Sequence, residues 1–392
     1  MLGEKRRSVF LKGLLLLMGL SAAGLAGIHA GTAGVSQGGA SGAPAGGLFI
    51  PAGLAPATSG PTKSDGIYVP NTNREIYQKI STDYQEIVAL TNQVNEGKPV
   101  PAAEILLLYE AGKHTRIGVA SRSLRVWARE AERSEDFPEA VAYYKSATFL
   151  DDPLLDAIAG ARTASGYTPA QRRQAIQRGV ERIVYHWSRH YIQRGTAELN
   201  PGFIDEAWAI YVGEEKSGKY PNSIAATAQS MEALFKMNGS IDEPLRRAMS
   251  QAQKAAAGKN AEACAAAAND IYSRFHAIFY LGAAYYLNEA LKATAGGDLE
   301  NARAAMAGGF ALYQSIQPQV ARADPAADKT IAGYYKTDPS RLSAALRDSA
   351  LAALNRTASA LLLKQGDLVT PTSNGSMTAG VQRFALTIQI VG

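Results

Sequence analysis

The sequence of 392 residues contains a single cysteine, Cys264. One thiol excludes disulfides within the chain, and it excludes zinc or iron–sulfur sites built from the cysteines of one chain. The sequence also lacks a phosphate-binding loop that ends in Lys-Ser or Lys-Thr, and it lacks a His-Glu-x-x-His motif. Because Cys264 lies in an alanine-rich stretch with no histidine beside it, we expect it to be a small buried hydrophobic residue.

An excess of charge of one sign is also missing. The chain has 40 basic and 35 acidic residues, and the first 30 residues hold four of the basic residues and one acidic residue. The remainder therefore carries 36 basic against 34 acidic side chains, with no basic run. Such a chain has no electrostatic footprint for nucleic acid. With 46% hydrophobic and 19% charged residues, most of it is expected to be globular.

Residues 1–30 have the pattern of an export signal. A short basic region precedes an apolar stretch from Leu14 to about Ile28, and Ala30 provides a small residue for cleavage. The pair Arg6-Arg7 resembles a twin-arginine signal, although the ordinary secretory route remains an equal alternative. No later run of ~18 apolar residues is present, so the mature protein is expected to be soluble and periplasmic or secreted.

Composition divides the rest of the chain into three parts. Residues 31–68 are rich in glycine, alanine and proline, which predicts a flexible linker. Residues 69–366 show helical periodicity interrupted by glycine and proline, which predicts an all-α multi-helix bundle. Residues 367–392 form a C-terminal extension, in which Gln382–Val391 alternates like a strand. The bundle is also a candidate for two pseudo-repeated halves, because each half has a long aromatic-rich helix followed by a shorter one.

The periodicity predicts helices over the following ranges: 73–97, 102–112, 119–133, 137–147, 151–164, 169–195, 203–213, 222–237, 241–257, 259–295, 298–315 and 339–365. Pro318, Pro325 and Pro339 are interpreted as breaks between helices. The eighteen tyrosines include the pairs Tyr143-Tyr144, Tyr285-Tyr286 and Tyr334-Tyr335, for which packing with hydrogen-bonded hydroxyls is the expected role.

One candidate metal centre lies on two consecutive helices. His186 and His190 are four residues apart, so their rings share a helix face, and imidazole is a common ligand of first-row metals. Asp205 and Glu206 begin the next helix, and an apolar run after them indicates that Glu206 is buried. The short connection predicts antiparallel packing, which would bring the two pairs face to face. The alternatives are ordinary helix histidines and carboxylates placed in a first turn by the helix dipole.

Two further positions could supply ligands. Glu110 and His114 have the same spacing of four residues at the end of an apolar helix, although Gly112 could end that helix before His114. Glu289 lies in the long 259–295 helix beside Tyr285 and Tyr286. Carboxylate and tyrosine oxygens suit hard ions such as ferric iron, and the addition of histidine suits ferrous iron or zinc.

The segment Phe203-Ile204-Asp205-Glu206-Ala207-Trp208-Ala209-Ile210-Tyr211-Val212-Gly213 resembles a helix motif of the low-iron-inducible periplasmic protein family. The similarity extends in order from Tyr109-Glu110-Ala111-Gly112 through the Gln174–Tyr191 helix, and it covers about residues 70–365. The resemblance implies an all-α extracytoplasmic protein of iron acquisition, with carboxylates and tyrosine or histidine as ligands.

These observations predict an exported iron-binding protein without covalent catalysis, whose partners are a metal ion and a membrane iron permease or another envelope protein. The alternative from a different class is a non-catalytic helical adaptor that binds an envelope component through its surface. A metalloenzyme of bundle architecture is disfavoured, because the sequence has no Glu-x-x-His motif of the di-iron type.

Overall fold

The structure is a computed structural model that describes residues 63–117, 120–130, 135–217, 219–237, 239–371 and 377–379. All of them belong to one unit, Gly47–Gly392. The export signal, most of the expected linker and the strand-like tail Gln382–Val391 lie outside the described residues.

Helices occupy most of the described chain. The first eight are α1 (Glu75–Gln78), α2 (Ile80–Asn92), α3 (Ala102–Ala111), α4 (Leu124–Glu130), α5 (Pro138–Tyr144), α6 (Asp151–Ala159), α7 (Pro169–Ala197) and α8 (Pro201–Val212). The next seven are α9 (Ile224–Phe235), α10 (Asp242–Ala257), α11 (Ala261–Ala295), α12 (Leu299–Tyr313), α13 (Gln317–Ala323), α14 (Pro325–Lys336) and α15 (Ala344–Arg356). Short 3₁₀ turns cover Gln93–Glu96, Arg162–Ala164, Pro339–Arg341 and Gln365–Asp367.

Strand structure among the described residues is confined to two small antiparallel hairpins. Strands β1 (Arg116–Ile117) and β2 (Ala120–Ser121) pair through Arg116 with Ser121. Strands β3 (Val369–Pro371) and β4 (Met377–Ala379) pair through Val369 with Ala379. The prediction of an all-α multi-helix bundle is therefore confirmed. Within the part of the chain that the structure describes, no helix is both long and apolar enough to cross a bilayer.

Polar caps define where the long helices begin. Thr168 and Gln171 form a capping box at the start of α7, and Asn260 accepts a backbone N–H at the start of α11. Asp298 and Asp324 cap α12 and α14 in the same way. Each cap satisfies an amide that has no partner within its helix, which stabilises the helix by ~1 kcal/mol.

The core lies along the two longest helices. Helix α7 contacts α8, α11 and α12, and α11 also packs against α10 and α12. Trp187 of α7 is buried and donates its indole N–H to the carbonyl of Trp127 over 2.6 Å. Cys264 is buried as expected, with its thiol directed at the Ala252 carbonyl.

Several helix boundaries differ from the predicted ones. The range 119–133 begins as a hairpin strand, and α4 starts after Ser123, whose hydroxyl accepts the Val126 N–H. Helix α6 ends at Ala159 because Gly160 has a left-handed φ of 64°. Helices α13 and α14 were not predicted, since Pro318 and Pro325 were interpreted as breaks. Both prolines lie in the first turn of a helix, where a missing N–H costs nothing.

The packed chain begins before the predicted linker boundary at residue 68. Tyr68 is fully buried and stacks on Trp208 of α8 with ring centroids 4.9 Å apart. Asp65 accepts the indole N–H of Trp208 over 2.9 Å and lies 3.3 Å from Arg246 of α10. Residues 63–68 therefore belong to the helical unit, because the Tyr68 ring and the Asp65 carboxylate have partners on α8 and α10.

Candidate functional site

Helices α7 and α8 form the antiparallel hairpin that the short connection predicts. The Ser188 hydroxyl donates to the Ala207 carbonyl over 2.9 Å, and Gly195 lies against the side chain of Ile204. A Cβ atom at Gly195 would overlap that side chain, so the two helices approach closely at this glycine. The hairpin therefore brings α8 onto the face of α7 that carries Ser188 and Gly195.

The histidines of α7 lie on a different face. His186 is 1% exposed and contacts Phe137, Phe149 and Tyr185 edge-on, with ring centroids between 5.1 and 5.6 Å apart. His190 also contacts Phe137, and its Nε2 lies 3.7 Å from Asp136. Both rings therefore face the segment around α5 and not α8.

His186 is held in its neutral form by these surroundings. Burial lowers the pKa of His186 well below its ordinary value of 6.5, and nearby arginine charges lower it further. Neither ring nitrogen has a hydrogen-bond partner in the described structure. A neutral imidazole is the form that binds metals, but the neighbours of His186 are aromatic rings rather than other ligands.

Asp205 holds the N-terminal segment on α8. One carboxylate oxygen accepts the Tyr68 hydroxyl over 2.7 Å and the Gln253 amide over 2.6 Å. The other accepts the Thr72 hydroxyl over 2.6 Å and the Asn71 backbone N–H over 3.0 Å. With four donors around it, Asp205 is a structural acceptor.

Glu206 occupies a separate buried site. Its carboxylate is fully buried and lies 3.3 Å from Nε of Arg74. Burial raises the pKa of Glu206 to about 7, although the charges of Arg74 and Arg122 act in the opposite direction. Glu206 is thus a buried group that can exchange a proton near neutral pH.

The other predicted ligands have partners of opposite charge. Glu110 forms an ion pair with Arg125, and Glu289 lies 2.9 Å from Nζ of Lys292. Because α3 ends at Ala111, His114 turns away from Glu110 and its Nε2 lies 2.7 Å from Glu86. Among the residues that the structure describes, no group of three His, Cys, Asp or Glu side chains could hold a metal ion. The structure therefore does not gather His186, His190, Asp205 and Glu206 into one centre, and their metal binding stays a prediction.

Tyrosine–carboxylate hydrogen bonds are a recurring feature of the buried structure. They join Tyr68 to Asp205, Tyr84 to Glu181, Tyr109 to Asp151, Tyr211 to Asp242, and both Tyr143 and Tyr313 to Asp328. Within the described residues, Asp328 alone receives two tyrosine hydroxyls. This arrangement distinguishes it from the single pairs, which satisfy one buried hydroxyl each.

Three separate helices build the cluster of Tyr143, Tyr313 and Asp328, which we call the Tyr–Asp cluster. Tyr143 lies near the end of α5, Tyr313 is the last residue of α12, and Asp328 lies in the first turn of α14. The hydroxyls of Tyr143 and Tyr313 lie 2.7 and 2.9 Å from the two Asp328 oxygens, and the Gln317 amide donates over 2.8 Å. Burial and the Asp328 carboxylate raise the pKa of both tyrosines, so both are protonated donors at neutral pH.

The cluster borders a cavity of about 800 Å³, with Tyr143 and Gln317 in its wall. Tyr143 and Gln317 therefore place one side of the cluster at the cavity. Two phenolate oxygens and one carboxylate form a hard, anionic donor set, which suits a hard cation such as ferric iron. Tyrosine oxygen is also an established ligand of iron. The residues present thus fit ferric iron better than the separated side chains of α7 and α8 do.

Sequence reasoning missed this cluster for a specific reason. Tyr143 was noted as part of a tyrosine pair and was assigned to packing, and Asp328 lies in a helix that was not predicted. The usable signal was Asp324-Pro325, an N-cap followed by a proline at the first helical position, which indicates a helix start. Asp328, the acidic residue in that first turn, then becomes a candidate ligand.

Comparison of the chain with protein-family models, with curated proteins and with solved structures found no match. The resemblance to the low-iron-inducible periplasmic protein family therefore stays a prediction. Among the described residues, the Tyr–Asp cluster is the arrangement of side chains that best suits a metal ion.

Proposed function

We propose that the protein is an exported iron-binding protein of iron acquisition, with no covalent chemistry of its own, and that it holds ferric iron at the Tyr–Asp cluster. The observation that supports this site is the convergence of two tyrosine hydroxyls on the single carboxylate of Asp328 at a cavity wall. The iron-acquisition role is supported by the family resemblance of the Phe203–Gly213 segment and by the export pattern of residues 1–30.

Charge balance favours the ferric ion over ferrous iron or zinc. In the iron-free cluster Tyr143 and Tyr313 each carry a proton, and both protons are directed at Asp328. A cation that displaces those two protons meets two phenolates and one carboxylate, whose three negative charges match a trivalent ion. Because the pKa of each tyrosine is raised, displacement requires a strongly polarising cation and releases protons.

Gln317 holds the carboxylate in place for this exchange. Its amide donates to the same Asp328 oxygen that accepts from Tyr313, and its own oxygen lies 3.2 Å from the Tyr144 hydroxyl. Because the amide does not titrate, it can keep Asp328 oriented in the iron-free and the iron-loaded protein. A membrane iron permease or another envelope protein would receive the iron.

The test compares iron binding by matched tyrosine variants. Purified protein is titrated with ferric nitrilotriacetate, and the visible absorption band of a ferric–phenolate bond is recorded. The double variant Tyr143→Phe/Tyr313→Phe should lose the band and bind iron at least ~100-fold more weakly, since each charged ligand contributes more than ~1.4 kcal/mol. Tyr109→Phe removes a buried hydroxyl that donates to Asp151 and lies outside the cluster, so its titration should match that of the parent.

A second pair of variants examines the α7–α8 prediction. Glu206→Gln and His186→Ala/His190→Ala should bind iron as the parent does. If these variants lose iron while the double tyrosine variant keeps it, the centre lies at α7 and α8 and the Tyr–Asp cluster is wrong. A parent protein that binds no iron would overturn the proposed function as a whole.

A further inference from the structure

The cavity of about 800 Å³ lies between four parts of the fold. Its walls come from the end of α5 and from α6, from the first half of α7, from α12, and from the end of α14. A cavity of this size accommodates an organic molecule rather than a single ion. Aromatic side chains form much of the wall, namely Tyr143, Tyr144, Tyr167, Phe310 and Tyr335.

All charged residues in the cavity wall are cations. They are Arg182, Arg303 and Lys336, and none of the described aspartates or glutamates lines the cavity. Lys336 is exposed near the rim, and its Nζ lies 5.3 Å from the centre of the Phe310 ring. Arg303 is half-buried, and Asp338 is the acidic residue whose charge it faces. The cavity therefore has a positive potential above an aromatic surface.

Arg182 is the deepest of the three cations. It is 3% exposed, and its one hydrogen bond to the described residues is a contact of 3.3 Å from Nη1 to the Gln314 amide oxygen. The guanidinium lies 4.7 Å from the centre of the Tyr144 ring and 5.3 Å from that of Phe149. Its Nε and Nη2 atoms are buried without a hydrogen-bond acceptor, and no carboxylate pairs with Arg182 in the described chain.

A buried guanidinium without a counter-ion is costly. Removal of the charge from water is strongly unfavourable, and contact with aromatic faces compensates only part of this cost. The two unused N–H groups of Arg182 form a planar fork, which matches the two oxygens of a carboxylate. Because Arg182 lines the cavity and has no carboxylate partner in the described chain, an anion bound in the cavity is the missing counter-ion.

We infer that this cavity binds an organic carboxylate with a planar aromatic body. The carboxylate pairs with Arg182, and the body packs between the tyrosine rings and Phe310. Ala307 of α12 is a small residue in the cavity wall. This inference does not depend on iron binding, because the anion is held by Arg182 and the rings rather than by the Tyr–Asp cluster.

The experiment is calorimetric titration of the full, metal-free chain with three probes. The probes are 2-naphthoate, the uncharged 2-naphthalenemethanol and inorganic phosphate. We expect 2-naphthoate to bind with 1:1 stoichiometry and at least ~10-fold more tightly than either of the others, because only it offers both a carboxylate and an aromatic body.

Two variants locate the binding. Arg182→Gln keeps a polar side chain and removes the charge, and it should weaken 2-naphthoate at least ~10-fold. Ala307→Phe fills the cavity without a change in charge, and it should also weaken the binding of 2-naphthoate. This variant tests the site independently if Arg182→Gln does not fold. Arg247→Gln, on the exposed face of α10 and 63% exposed, is the control that should bind as the parent does.

Three results would overturn the inference. The first is absence of 2-naphthoate binding to the parent. The second is that the parent binds the naphthyl alcohol or phosphate as tightly as 2-naphthoate. This result would show that either the carboxylate or the aromatic body is not recognised. The third is unchanged binding by both Arg182→Gln and Ala307→Phe. Since iron is absent throughout, none of these results bears on the proposed iron site.

Discussion

Asp205 and Glu206 are neighbours on α8, and both are fully buried, yet their surroundings differ. Asp205 accepts four hydrogen bonds from the N-terminal segment and α10. Glu206 faces the guanidinium of Arg74, and burial raises the pKa of Glu206 to about 7. Two adjacent carboxyls therefore have different functions because of the groups that surround each one.

The pKa of Glu206 predicts a pH dependence of stability. In the unfolded chain the pKa of this carboxyl is near its ordinary value of 4.5, and in the folded chain burial raises its pKa to about 7. Between these pH values the folded state holds the extra proton, so stability falls as pH rises. Over that window the parent should lose on the order of 3 kcal/mol of unfolding free energy relative to Glu206→Gln.

Urea denaturation at pH 4.5, 6 and 8 measures this difference. Glu243→Gln is the control, since that carboxylate is half exposed and is paired with Arg247 on the surface of α10. Its stability should follow that of the parent at every pH. Parallel pH profiles for the parent and Glu206→Gln would contradict the raised pKa.

At the scale of elements, glycine decides how closely the helices approach. Gly309 lies inside α12, where a Cβ atom would come within 2.5 Å of Tyr286 Cβ on α11 and of a ring carbon of Tyr335 on α14. Gly333 lies inside α14 and has no atom within 4 Å of the corresponding position. The first glycine is required by packing, and the second only weakens its helix.

The same substitution should therefore have opposite effects at the two sites. Gly309→Ala should lower the unfolding free energy by ~1–3 kcal/mol, because the methyl group forces α11 or α14 to shift. Gly333→Ala should raise it by ~0.5–1 kcal/mol through helix propensity. Thermal and urea denaturation of the two variants at one pH test this pair. A gain in stability from Gly309→Ala would show that the three helices do not pack this closely.

At the scale of the whole molecule, buried polar contacts join segments that are distant in sequence. Asp205 joins residues 68–72 to α8 and to Gln253 of α10, and Asp65 joins the same segment to Trp208 and Arg246. The N-terminal segment thus closes the surface that α8 and α10 share. Its attachment depends on two carboxylates that have several donors each.

Removal of Asp205 should detach this segment and destabilise the fold. Asp205→Ala leaves the Tyr68 hydroxyl and the Gln253 amide without their acceptor, and it should cost at least ~3 kcal/mol. Glu243→Ala, an exposed carboxylate on α10, should change stability by less than ~0.5 kcal/mol. Urea denaturation measures both, and limited proteolysis should cut near residue 68 faster in Asp205→Ala. Equal stability of the two variants would contradict the role of Asp205 as an anchor.

The sequence by itself determined the all-α class and the position of most helices. Apolar periodicity and caps such as Thr168 are local signals, because helix hydrogen bonds join residues four apart. The antiparallel hairpin of α7 and α8 was predictable for the same reason, since a short connection leaves few alternatives. Helices α13 and α14 are not predicted, because the sequence pattern assigns Pro318 and Pro325 to breaks between helices. In the structure each proline lies in the first turn of a helix.

Only the tertiary structure decided which side chains meet. His186 and His190 share a helix face as predicted, but their neighbour is Phe137, and no sequence rule states which helix covers that face. Tyr143 meets Asp328 from 185 positions away in the chain. Helices form through contacts close in sequence, whereas a site forms where packed helices bring distant residues together, and that packing depends on the shape of every buried side chain at once.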